Sequence, residues 1–281
     1  MIFFNNFRGL KLSQFLIKKD FKVFKIVTKK FLNKKILYHL KNNVKIIKNL
    51  KSENLKDFII KKKFDLIISA GFPHIFKKDY LKLSKYGIIN LHAGRLPKYR
   101  GGSPLVWQII NGEKNIGLSI IKVNQNIDEG KIIVKTQFKN DTKKNIFDFQ
   151  KKANKLFLNL TYKAIKKIII NKKLLNQPLS QSYYKQRSDK DALINFNNTN
   201  VKVYDFVRAQ SYPYKGAYFF NSQKKFRLFK CSKENFNPKI NSGKLFKFQK
   251  RKDIYIKCKK NSVKILSIIP NIKLLKNINL I

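Results

Sequence analysis

Hydrophobic positions along the first half of the chain switch between a period near two and a period near 3.6. Ile2-Phe3-Phe4 reads as a short strand, Asn5-Asn6-Phe7-Arg8-Gly9 as a turn, and Leu10 to Lys18 is amphipathic. Phe21 to Val27 predicts a strand and Lys29 to Leu40 a helix. Val44 to Lys48 predicts a strand, and Ser52 to Lys63 a helix with Ser52 in the capping position. Phe64 to Ser69 (FDLIIS) is a continuous apolar run, as a parallel sheet covered on both faces requires. Strands and helices in this alternation predict an α/β fold built on a Rossmann-like, doubly wound, mostly parallel sheet.

The pattern continues with Ile88 to His92, the end of a buried strand, and a loop of Gly, Pro and basic residues from Ala93 to Ser103. A short helical segment follows over Pro104 to Asn111. Two strand-like runs, Ile116 to Val123 and Lys131 to Phe138, flank the polar turn Asn124 to Gly130. Asn145 to Asn171 has apolar residues at helical spacing over one long helix. Gln177 to Asn200 is a polar, tyrosine-containing linker. Beyond it, Val203 to Ala209 predicts a short helix. Apolar runs at 217–220, 226–229, 244–248, 254–258 and 263–268 then predict a small β-rich barrel or half-barrel. The expected organisation is a larger domain over 1–176, a linker over 177–200 and a β-rich domain over 201–281.

Composition changes this picture little. With 281 residues, 43% of them hydrophobic, the chain buries a sizeable core. The formal charge is +48, from 63 Lys+Arg against 15 Asp+Glu. Lysine is spread evenly and rises together with Asn, Ile and Phe, the bias of AT-rich codons, so the charge is weak evidence for a polyanion partner. Two distant cysteines, Cys231 and Cys258, predict neither a disulfide framework nor a metal site. No apolar run reaches transmembrane length, and the N-terminal run is too short for a signal peptide, so a soluble, cytoplasmic protein is expected.

Candidate chemistry concentrates between Gly87 and Val134. Side chains two apart in a strand share a face, so Asn90 and His92 point the same way. A turn between the two following strands can swing Asp128 back toward them. An amide, an imidazole and a carboxylate then converge at a strand's C-terminal edge, where open α/β sheets place ligands. Acyl transfer to an amine needs a donor for the developing oxyanion and a base for the departing proton. Asn and His supply these, and a carboxylate orients the His. On spacing alone, a buried structural His92 explains the pattern equally well. His39, on a helix, has no evident role.

Asn90-Leu91-His92, Arg95-Leu96-Pro97-Lys98-Tyr99-Arg100-Gly101, Asn111-Gly112-Glu113 and Asp128-Glu129-Gly130 together resemble the folate-dependent formyltransferases. The resemblance implies Asn90, His92 and Asp128 as catalytic residues and 10-formyltetrahydrofolate as formyl donor, without a metal. It implies folate contacts at His74, Ile75, Phe76 and Gly102, and in the turn Asn124, Gln125, Asn126 and Ile127. A surface role without function and a core role remain open for His74 and for Phe72 and Phe76, respectively. The C-terminal strands resemble the family's OB-like domain. Tyr184 to Arg187 with Leu193 to Phe196 is similar to its connector, with Ser188 and Asn195 where Pro and Asp are usual.

Ser103-Pro104-Leu105-Val106-Trp107, Val207-Arg208-Ala209 and Tyr212 to Tyr218 are more similar to the sugar-nucleotide branch than to the methionyl-tRNA branch. The implied acceptor is the amine of a nucleotide-linked amino sugar. Initiator methionyl-tRNA is the alternative acceptor, and a non-catalytic nucleic-acid-binding relative is a third reading. A homodimer is compatible with the fold.

Overall fold

The structure, a computed structural model, describes residues 1–29, 34–40, 42–52, 54–178 and 182–281. Residues 30–33 of the helix expected over Lys29 to Leu40 lie outside them. The chain begins β1 (Ile2–Phe3), α1 (Phe7–Ile17), β2 (Lys25–Thr28), α2 (Lys34–Tyr38), β3 (Val44–Ile47), α3 (Leu55–Lys62) and β4 (Ile67–Ser69). It continues with β5 (Ile88–His92), β6 (Arg100–Gly101), α4 (Pro104–Ile110), β7 (Asn115–Lys122), β8 (Ile132–Lys139) and α5 (Ile146–Ile169). Then come β9 (Tyr183–Tyr184), α6 (Asn200–Gln210), β10 (Ala217–Asn221), β11 (Lys224–Glu234), β12 (Leu245–Lys247), β13 (Tyr255–Lys257), β14 (Ser262–Ile269) and β15 (Ile278–Leu280).

Seven strands form one sheet in the order β3-β2-β1-β4-β5-β7-β8. From β3 to β5 every neighbouring pair is parallel, and β7 joins β5 antiparallel. This is the expected mostly parallel α/β sheet, with the chain running outward in both directions from β1. Its short strands are apolar on both faces because helices cover them. Phe3, Ile26, Ile47, Ile67 and Ile88, one from each parallel strand, share a core with Leu55 and Ile59 of α3. Each such side chain contributes about 1.5–3 kcal/mol on burial.

Several expected boundaries shift. The strand read from Phe21 begins at Lys25, and that read from Phe64 begins at Ile67. Apolar residues before these strands, Phe24 and Phe64, pack on the core, and Phe24 O accepts from Ile2 N–H at 2.8 Å. Ser52 does not cap α3: the N-cap is Asn54, at φ +60 and without a side-chain cap bond. Ser52 Oγ instead closes the preceding turn, accepting from Lys48 and Asn49 N–H at 3.2 Å. The turn expected over Asn5 to Gly9 is already helical from Phe7, with Asn6 accepting from Arg8 N–H as the cap. Asn145 caps α5, its Oδ1 accepting from Phe147 N–H at 2.9 Å while Asp148 Oδ2 accepts from Asn145 N–H at 3.2 Å.

The chain divides into two compact units. One comprises Met1–Pro104, Gly117–Phe138 and Lys151–Tyr184; the other comprises Leu105–Ile116, Lys139–Gln150 and Lys185–Ile281. The second unit carries a six-strand sheet in the order β10-β11-β14-β13-β12-β15. Its last strand, β15, pairs parallel with β12 and has no counterpart among the expected strands. Val203 and Val207 of α6 pack with Phe219, Phe226 and Leu228. Arg208, 5% exposed, binds Asp205 at 2.7 Å, Asn140 Oδ1 at 2.9 Å and the Lys144 carbonyl at 3.0 Å. One buried guanidinium thus satisfies acceptors from α6 and from the segment leading into α5. Among the described residues, no helix is long and apolar enough to cross a membrane.

Candidate active site

The site lies wholly within the first unit, at the C-terminal end of β5. That strand is held by β4 on one side and β7 on the other, with His92 opposite Ser119 and Asn90 opposite Ile121. Strand alternation turns Ile89 and Leu91 one way, Asn90 and His92 the other. His92 is 4% exposed. Its partner Ser119 braces the loop beyond: the hydroxyl donates to Gly94 O at 2.8 Å and accepts from Leu96 N–H at 3.3 Å.

Asp128 arrives from the turn between β7 and β8. Its Oδ1 accepts from Asn90 Nδ2 at 3.3 Å, and its Oδ2 lies 3.3 Å from His92 Nδ1. Oδ2 also accepts from Gly101 N–H at 3.0 Å. The three expected residues therefore come together. The turn that delivers Asp128 needs Gly130, where a Cβ would fall 1.6 Å from Lys122 O. Asp128 itself has φ +55, a region that Asp tolerates better than most residues.

The other face of the imidazole is set by backbone. His92 Nε2 lies 2.5 Å from Tyr99 O, so both ring nitrogens face oxygen acceptors. A doubly protonated ring donates to both, a neutral ring to one. Tyr99 is fully buried and stacks on Tyr184 at 4.9 Å. β6 pairs with β9, so residues 100–101 and 183–184 lock this loop together; the supposed linker thus contributes a strand to the site. Below β5, the Arg8 guanidinium donates to Leu91 O at 3.3 Å and Asn154 Oδ1 at 3.0 Å and lies over Phe157. Arg8 serves the sheet and α5 from within α1.

Of the residues expected at the folate, His74, Ile75 and Phe76 follow β4, Gly102 follows β6, and Asn124 to Ile127 lie in the turn between β7 and β8. His74 follows β4, with its ring 5.3 Å from Phe72. Ile75 is 66% exposed, whereas Phe76 is core, edge-on to Phe3 at 5.1 Å. Gly102 N–H donates to Tyr184 O at 2.7 Å. Asn124 Oδ1 accepts from Asn126 N–H, Asn126 Nδ2 donates to Glu129 at 2.7 Å, Gln125 is exposed, and Ile127 is 40% exposed. Sequence reasoning missed the Tyr99 carbonyl, the Gly101 N–H and Gln177, since two of them act through backbone and the third lies in a stretch without pattern.

Residues 18–161 match the formyl transferase family model, and residues 187–277 match the formyl transferase C-terminal domain. The chain belongs to the formyl transferase family. It is 35% identical, over 90% of its length and 40% of the relative's, to the bifunctional polymyxin resistance protein ArnA of Wigglesworthia glossinidia brevipalpis. It is 31% identical, over 66% of its length, to the methionyl-tRNA formyltransferase of Thermodesulfovibrio yellowstonii, spanning 57% of that protein. Its fold is similar to that of an N-formyltransferase from Helicobacter canadensis, solved with folinic acid and dTDP-3-aminofucose. That match has a TM-score of 0.72 at 21% identity and covers 95% of this chain and 98% of the other.

Proposed function

We propose that this formyl transferase family member is an N-formyltransferase that moves a formyl group from 10-formyltetrahydrofolate to the amine of a nucleotide-linked amino sugar. The observation that carries the reaction is the convergence of Asn90, His92 and Asp128 at the end of β5. The amine nitrogen bonds to the formyl carbon, the bond from that carbon to folate N10 breaks, one proton leaves the amine and one reaches N10. His92 takes the amine's proton, and Asp128 with the Tyr99 carbonyl stabilises the imidazolium so formed. The Asn90 amide has two hydrogens; one faces Asp128, and the second donates to the oxyanion that develops on the formyl oxygen. The donor is held by the loops at 74–76 and 124–127, where Ile75 and Ile127 offer apolar surface.

The acceptor assignment is supported by the Ser103–Trp107 and Tyr212–Tyr218 segments and by the likeness to the enzyme solved with dTDP-3-aminofucose. Methionyl-tRNA is the second reading, favoured by the relative of that activity and by the +48 charge. The test is release of tetrahydrofolate from 10-formyltetrahydrofolate with a panel of amino-sugar nucleotides and, in parallel, charged initiator tRNA. Turnover with one sugar nucleotide is expected. Turnover with tRNA alone overturns the acceptor and keeps the catalytic residues. His92→Ala is expected to lose about 10²- to 10⁴-fold in rate while still folding; a near-normal rate sinks the catalytic assignment.

A further inference from the structure

The Asp128 carboxylate is aimed by a turn, and that turn is held by a residue remote in sequence. Gln177 Nε2 donates to Asp128 O at 3.0 Å and Gly130 O at 2.7 Å, using both hydrogens of the amide. Gln177 Oε1 accepts from Arg100 Nε and Nη2, each at 3.3 Å. Arg100, 3% exposed, also donates to Pro178 O at 2.7 Å and pairs with Glu129 at 3.4 Å. The chain before Gln177 is fixed as well, because Leu175 and Ile132 exchange backbone hydrogen bonds of 3.0 and 2.8 Å. Asp128 and Gly130 are thus gripped by a carboxamide whose own orientation is set by a buried guanidinium.

We infer that Gln177 is a positioning residue for the reaction: by clamping the carbonyls of Asp128 and Gly130 it sets the Asp128 carboxylate against His92 and Asn90. The inference rests on the reading of Asp128 as catalytic. Only a carboxamide donates to two carbonyls and accepts from a guanidinium at once. Glutamate keeps the partner for Arg100 but loses both donors and turns a negative oxygen toward the carbonyls. Methionine keeps the length and loses all four bonds. A misplacement of about 1 Å in such a group costs on the order of 10²-fold in rate.

The experiment compares Gln177→Met, Gln177→Glu, Asp128→Asn and the Gln177→Met/Asp128→Asn double variant, in the tetrahydrofolate-release assay and by ¹⁵N spectra of the imidazole rings. The chain has three histidines, so His92 is identified by its disappearance in His92→Ala. Both Gln177 variants are expected to lose about 10²-fold in kcat with KM for the folate within about threefold, and to move the His92 ring signals but not those of His39. The double variant is expected to be no slower than Asp128→Asn, since the clamp acts through that carboxylate. Gln177→Glu at the native rate, or with unmoved His92 signals, overturns the inference by reducing Gln177 to a partner for Arg100. Losses that multiply in the double variant overturn it too. Should Gln177→Met fail to fold, Gln177→Glu decides alone. An Asp128→Asn variant of normal rate sinks the catalytic reading itself, which separates the two failures.

Discussion

At Gly94 a Cβ would lie 2.5 Å from His92 Nε2 and 2.8 Å from Tyr99 O, inside the contact that fixes the imidazole. Gly94→Ala therefore has to push the ring off the Tyr99 carbonyl or displace the loop. The expected outcome is a kcat lowered by about 10²-fold for a stability loss of about 1–3 kcal/mol, read by steady-state kinetics beside urea unfolding. An unchanged kcat would show that the Tyr99 contact has no part in aligning His92. Asn90 and His92 were legible in the sequence because a strand puts alternate side chains on one face, and Asp128 because a turn between two strands returns there. Gly94, Tyr99 and Gly101 were not, since a carbonyl, an N–H or a missing Cβ leaves little trace in residue type.

At the scale of elements, apolar period located most helices and strands, while ends and caps depended on pairing partners. Lys25 to Thr28 is strand because β1 and β3 lie on either side to pair it. The β10–β11 turn has Ser222 and Gln223 at φ +46 and +64, both positive, without the glycine or asparagine that marks such turns. The stretch read as linker holds a short helical turn over Asp189–Ala192, with Ser188 and Asp191 forming a capping box. Arg227 of β11 grips Asp189 with two bonds of 2.8 and 2.7 Å, and its donated hydrogen bonds hold that carboxyl down at about 2. A depressed carboxyl stabilises the fold above its unfolded value near 3.9 and loses that contribution as pH falls toward 2. Arg227→Met is accordingly expected to lower the urea midpoint at pH 7 by a modest, salt-sensitive amount, and to match the wild type near pH 2. Equal midpoints at pH 7 would show the pair to be neutral.

Across the whole molecule the formal +48 charge is expected to attract polyanions without sequence preference. Binding to unrelated RNA and to initiator tRNA is expected to be of similar strength and to fall steeply between 50 and 200 mM salt, measured by fluorescence anisotropy. A tRNA preference that survives 200 mM salt would favour the methionyl-tRNA reading. The sequence by itself determined the α/β sheet and the β-rich C-terminal half, because these follow from periodicity, and it pointed to Asn90, His92 and Asp128 through their resemblance to a family's motifs. Only the tertiary structure decided that 105–116 and 139–150 join the C-terminal unit, that residues 183–184 pair with 100–101, and that Gln177 grips the Asp128 turn. The contacts of Gln177 and Pro178 with Arg100 span 77 and 78 residues. Bonds of that reach depend on where the sheet and the loops bring two backbones together, and local pattern carries no record of that distance.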